Sequence, residues 1–138
     1  MKISNYIKNY TAGNRITVKH IIAEINEYLH EVVRFNKSGM KEELHDIFHF
    51  LQLWLYWRVG LDGKVWKITQ DSVDKFIKRR KVWENIYEYV GLDKNISKYC
   101  GNYKRKEKVI KHLSEYKVSR EKSLAAYKKI VLNNFKHK

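Results

Sequence analysis

Residues 17–36 read TVKHIIAEINEYLHEVVRFN and residues 41–58 read KEELHDIFHFLQLWLYWR, and these two stretches decide the fold. In the first, Ile21, Ile22, Ile25, Leu29, Val32 and Val33 recur at intervals of three and four, the spacing that lines one face of an α-helix. Thr17 is suited to cap its start, and Ser38-Gly39 should stop it near Asn36. The second stretch is apolar nearly all round, with Leu44, Ile47, Phe48, Phe50, Leu51, Trp54, Leu55 and Trp57. A helix of that kind belongs inside a bundle.

Working outward, Gly60-Leu61-Asp62-Gly63 reads as a loop. A third helix is expected from about Asp71 to Val90, carrying Val73, Phe76, Ile77, Trp83, Ile86, Tyr87 and Val90, with Gly91 as its stop. Val109, Ile110, Leu113 and Tyr116, then Leu124, Tyr127, Ile130, Val131 and Phe135, mark two more amphipathic helices. Lys94 to Lys108 suits a flexible connection. The expected fold is all-α, an antiparallel helical bundle with additional basic C-terminal helices. It forms a single domain over 1–138, with its core at about 17–90 and a basic extension at 91–138.

Composition agrees with that class. The 138 residues contain no proline and only 6 glycines, and 43% are hydrophobic, which argues against a disordered chain and a turn-rich β-sandwich. The formal net charge is +14, and residues 91–138 hold 14 basic against 4 acidic side chains. Polyanions are therefore the first partners to consider, although a genome-wide compositional bias would produce the same letters. The lone cysteine, Cys100, permits no internal disulfide, and Met1 to Tyr10 has no apolar run like a signal peptide, so a cytoplasmic location is expected. The apolar stretch from Leu44 to Trp57 is too short and too interrupted to cross a bilayer.

The chemistry lies in the acids. Glu24, Glu27 and Glu31 share one face of the first helix, bordering its apolar stripe, and His20 joins them. A solvated acidic face explains that pattern when it is taken alone. On the second helix, however, Glu43 and Asp46 lie among Phe50, Leu53 and Trp57. Burying unpaired carboxylates costs several kcal/mol, so they need a cation. In a helical hairpin Glu24, Glu27, Glu43 and Asp46 can converge. Oxygen-only ligands select a hard ion, Mg²⁺ or alternatively Mn²⁺, and phosphate chemistry is its obvious use.

Glu24-Ile-Asn-Glu27 followed by Glu43-Leu-His-Asp46 resembles the E-x-x-E…E-x-x-D pattern of the all-α nucleoside triphosphate pyrophosphohydrolases, particularly the MazG-like branch. The likeness extends to Glu42-Glu43 opening a long apolar helix, and to Lys75-Phe76-Ile77-Lys78-Arg79 in place of that branch's K-F-x-x-R. The Asn that usually precedes this motif is replaced, with Val73 and Asp74 in its neighbourhood. The resemblance covers about residues 20–81. It implies hydrolysis of (deoxy)nucleoside triphosphates to the monophosphate and pyrophosphate, with the four acids as metal ligands and catalytic groups. It further implies that Lys75 and Arg79 bind the substrate's phosphates, and that the protein is a homodimer or a dimer of dimers. An i, i+4 pair of cations on one helix face is consistent with that role.

Other patterns are weaker. His45-Asp46 fits an HD-type phosphohydrolase only with arbitrary partners, and His45 with His49 lacks the Glu and third ligand of a zinc site. No phosphate-binding glycine loop or serine nucleophile elbow is present. Trp54, Trp57, Trp83 and Asn85 are candidates to line a base pocket. Tyr99, Tyr103, Lys104, Arg105, Lys106 and Lys108 interleave rings with cations, as single-strand binders do. The alternative function is accordingly a helical nucleic-acid-binding protein using the basic C-terminal half.

Overall fold

The computed structural model describes residues 1–11 and 15–133. The described chain is helical, with no strand, as expected for an all-α fold. In chain order the helices are α1 (Ile3–Tyr10), α2 (Val18–Val33), α3 (Lys37–Val59), α4 (Gln70–Tyr89), α5 (Lys106–Ser114) and α6 (Arg120–Ala126). A 3-10 turn, Lys67–Thr69, leads into α4, and a π-helical segment, Tyr127–Leu132, continues α6. Gly60 and Gly91 follow α3 and α4 with φ of 71° and 84°, conformations that a side chain would strain. Phe135 lies outside the described residues. None of the described helices is long and apolar enough to cross a membrane.

The chain divides into two compact units, residues 1–75 and 76–138, with the division falling inside α4. In the first, α2 and α3 form a hairpin. Its turn is fixed by Asn36, which accepts from Gly39 N at 3.2 Å and donates through Nδ2 to Glu31 Oε2 at 2.8 Å. At the other end Thr17 N donates to Nδ1 of His20, so His20 serves the helix start. Helix α1, which the sequence reading left unassigned, buries Ile3, Tyr6 and Ile7. Asp62 receives Ser4 N at 2.9 Å and Ser4 Oγ at 2.7 Å, placing a negative charge at the start of α1.

Burial in the hairpin runs against the simple apolar-inside expectation. On α3 the buried residues are Asp46, His49, Gln52 and Leu53. On α2 none is buried, and the half-buried positions are Ile21, Glu24, Tyr28 and Glu31. The apolar stripe of α2, from Val18 through Ile22, Ile25, Leu29 and Val32 to Val33, remains 37% to 76% exposed.

The second unit has a conventional core. Val82, Trp83, Ile86, Tyr87 and Val90 of α4 pack with Tyr103, Val109, Leu113, Ala126 and Val131. The segment after α4 is irregular but anchored. Buried Arg80 donates to the carbonyls of Ser97 and Lys94, and Trp83 Nε1 donates to Gly101 O at 2.8 Å.

Candidate metal and phosphate site

Helix geometry explains how the acids meet. Glu24 and Glu27 stand three apart on α2, and the Asn36-capped turn folds α3 back so that Glu43 reaches them. One carboxylate oxygen from each of Glu24, Glu27 and Glu43 lies within 4.8 Å of the others. Oε2 of Glu24 and Oε2 of Glu43 are buried without a hydrogen-bond partner. Burial, reinforced by the neighbouring carboxylates, pushes Glu24 up to about 7. Burial, then a side-chain hydrogen bond with Glu27 and the charges of the neighbouring acids, push Glu43 up to about 8. Crowded oxygens of this kind must hold protons or a cation. An all-oxygen donor set whose buried atoms lack donors fits a hard divalent ion such as Mg²⁺.

Asp46 stands beside the trio with partners of its own. The structure gathers three of the four predicted ligands, while Asp46 is engaged beside them. Lys75 Nζ lies 2.9 and 2.8 Å from its two oxygens, and Ser72 Oγ donates to Oδ1 at 2.6 Å. Its charge still acts on the cluster, being one cause of the upward displacement of both Glu24 and Glu43. Lys75 also approaches Glu42 at 3.4 Å. A cavity of about 340 Å³ opens here, lined by Ser38, Lys41, Glu42, His45, Asp71, Ser72 and Lys75. Ser72 was missed in the sequence, although its position three before Lys75 puts both on one helix face.

The remaining candidates separate cleanly. Arg79 belongs to the second unit, where its guanidinium lies over the Phe76 ring, 5.3 Å from the centroid. His45 sits 3.6 Å from Asp71. His49 is buried, its Nε2 3.0 Å from Tyr6 Oη, and burial lowers it to about 4, so it is a neutral core side chain. Among the described residues no histidine or cysteine joins a group of three metal donors. Trp54 and Trp57 line a second cavity of about 530 Å³ in the first unit, with Arg15 over the Trp57 ring at 5.6 Å. Trp83 is core and Asn85 is exposed. No protein-family model matches the chain, and no curated protein or solved structure matches it.

Proposed function

We propose that the chain is a metal-dependent nucleoside triphosphate pyrophosphohydrolase of the kind its acid pairs resemble, the MazG-like branch. The observation that carries this reading is the trio of Glu24, Glu27 and Glu43, with buried, unpartnered oxygens on two of them, beside the Asp46–Lys75–Ser72 cluster. Glu24, Glu27 and Glu43 would hold Mg²⁺, with Mn²⁺ as the alternative, and Asp46 would complete the set. A bound ion of this type supplies Lewis-acid stabilisation of phosphate oxygens and lowers the pKa of a coordinated water.

The protein's own contribution is positioning. A carboxylate of the cluster accepts a proton from water, whose oxygen bonds to the α-phosphorus while the α–β bridge bond breaks, leaving the monophosphate and pyrophosphate. Lys75, which lies between two carboxylates, would take a phosphate oxygen in exchange, and the resemblance gives Arg79 the second phosphate contact. The Trp54–Trp57 cavity lies further along α2 and α3 and offers ring faces to a base.

A second copy of this chain belongs to the same reading. Helix α2 carries a strong apolar stripe yet buries no residue, and α3 leaves most of its rings and leucines half-buried. An apolar face of that extent on one helix marks an association surface. A homodimer, or a dimer of dimers, would complete the bundle.

Pyrophosphate release from a panel of ribo- and deoxyribonucleoside triphosphates tests the activity. We expect turnover only with Mg²⁺ or Mn²⁺, and a loss of about two decades or more in Glu43→Gln and in Asp46→Asn. Lys75→Ala and Arg79→Ala should each cost about one to two decades in kcat/KM while leaving metal affinity without nucleotide little changed. Near-parental activity in both amide variants would sink the metal assignment.

A further inference from the structure

The second unit carries its own cavity, of about 460 Å³, which the hydrolase reading does not use. Its wall is aromatic. Tyr99 stacks on His112 with centroids 4.0 Å apart and planes at 15°, and Tyr116 meets His112 edge-on at 5.5 Å. His112 is held from behind, where its Nε2 lies 2.6 Å from Tyr87 Oη. Burial pushes the Tyr87 phenol up to about 12 and lowers His112, so this contact joins a protonated phenol to an uncharged imidazole. Lys108 and Lys111 are exposed at the rim. Glu115 is the acid at this cavity, 3.9 Å from Nδ1 of His112.

The surroundings are strongly cationic. Residues 76–138 carry 18 basic and 6 acidic side chains, a net +12, against +2 for residues 1–75. Between 94 and 111 there are seven basic residues and one acid, Glu107, which is engaged by Arg120 at 2.9 Å. A lipid surface would want a continuous apolar face, but among the described residues of this unit the exposed large hydrophobics, Tyr89, Ile96 and Leu132, are scattered singly. Rings inside a cavity with lysines at the rim suit a flat base attached to phosphates. Duplexes hide the base faces that such a wall would stack against. The volume falls within the roughly 300 to 1,000 Å³ of small-molecule sites, enough for one base and its sugar.

We propose that the Tyr99–His112–Tyr116 cavity of the second unit binds single-stranded nucleic acid, seating a base against the aromatic wall while Lys108 and Lys111 take the adjoining phosphates. Tyr103, which the sequence pattern grouped with these residues, is buried in the core and plays no part.

Fluorescence anisotropy with a labelled 12-nucleotide poly-dT strand, read on the full-length protein, tests it. The parent should bind the strand at least about tenfold more tightly than a duplex of equal length at the same salt. Lys108→Ala with Lys111→Ala should weaken binding by about tenfold or more and lower the slope of log K against log salt by about 1.4. The matched pair Lys128→Ala with Lys129→Ala, exposed in the same unit, should change affinity less than about threefold. Tyr116→Phe should retain affinity and Tyr116→Leu should lose about tenfold. Equal losses in the two lysine pairs, duplex binding as tight as single strand, or thymidine monophosphate competing as well as the 12-mer would each overturn the proposal.

Discussion

Residues 76–138 and residues 1–75 bury apolar and polar groups in different proportions. The former close a core of rings and aliphatic side chains around Trp83 and carry a net charge of +12. The latter hide Asp46, His49, Gln52, Thr69 and Ser72 beside Ile3, Tyr6, Ile7, Leu53 and Val73, while Ile22, Ile25 and Leu29 of α2 stay outside. Apolar burial is the main favourable term in folding, and in residues 76–138 it is gathered into one core around Trp83. In residues 1–75 the buried polar groups adjoin the site proposed above for chemistry, and the exposed stripe of α2 is the surface proposed above for association.

The sharpest way to break that contrast is at Trp83. Its side chain is fully buried against Tyr87, Tyr99 and His112, so Trp83→Ala should cost about 3 to 5 kcal/mol in urea denaturation. A loss below about 1 kcal/mol would mean that the second unit is not organised around this ring.

The α2 stripe offers the complementary test. If a second copy covers it, the parent should sediment as a dimer or larger at micromolar concentration. Ile25→Glu with Leu29→Glu should then shift it to monomer, weakening association by about 30-fold or more. A monomeric parent would leave the stripe without its proposed occupant.

The smallest effect is a titration. Folding raises Glu24 to about 7 and Glu43 to about 8, from 4.5, so between those limits the folded protein holds more protons than the unfolded chain. Stability of the metal-free protein should therefore fall as pH rises from about 4.5 to about 8. His49 acts in the other direction. Its pKa drops from 6.5 to about 4, so its contribution is present above pH 6.5 and lost as pH falls toward 4. Comparing Glu43→Gln with the parent cancels His49. The variant's melting temperature should exceed the parent's by a margin that opens above pH 4.5 and is complete near pH 8. Saturating Mg²⁺ should close that margin, because the ion compensates the charge that the mutation removes. A margin independent of pH would rule out proton linkage at Glu43.

Periodicity made the long helices legible. The interval-three-and-four spacing of Ile22, Ile25 and Leu29 marks α2 well, but it points to the wrong burial, since no periodicity rule says that a stripe will find its cover within one chain. The pairs Glu24/Glu27 and Glu43/Asp46 were readable because helical spacing alone puts each pair on one face. That Asp46 turns to Lys75 and Ser72 was not, because it depends on contacts between residues 26 and 29 positions apart. Helix α1 escaped for a different reason. Its eight residues offer only Ile3, Tyr6, Ile7 and Tyr10 as apolar or aromatic positions, and it is held by remote groups such as Asp62 and His49.

One side chain described only as buried shows how little of such a fold is about shape. Gln52 sends Nε2 to the carbonyl of Lys64 at 2.8 Å, and its Oε1 receives Trp66 N at 3.1 Å and Thr69 Oγ1 at 3.2 Å. Its amide reads the polarity of the strand-like segment opposite, a donor where there is a carbonyl and an acceptor where there are hydrogens. Glutamate has the same outline but would set two acceptors face to face at Lys64. Methionine has similar bulk and would leave the Lys64 carbonyl and the Trp66 N–H without their partner, the Thr69 hydroxyl keeping the Trp66 carbonyl at 2.8 Å. The identity of residue 52 is thus written by a three-way pattern of signs, and a side chain of the right size with one sign reversed would be rejected there.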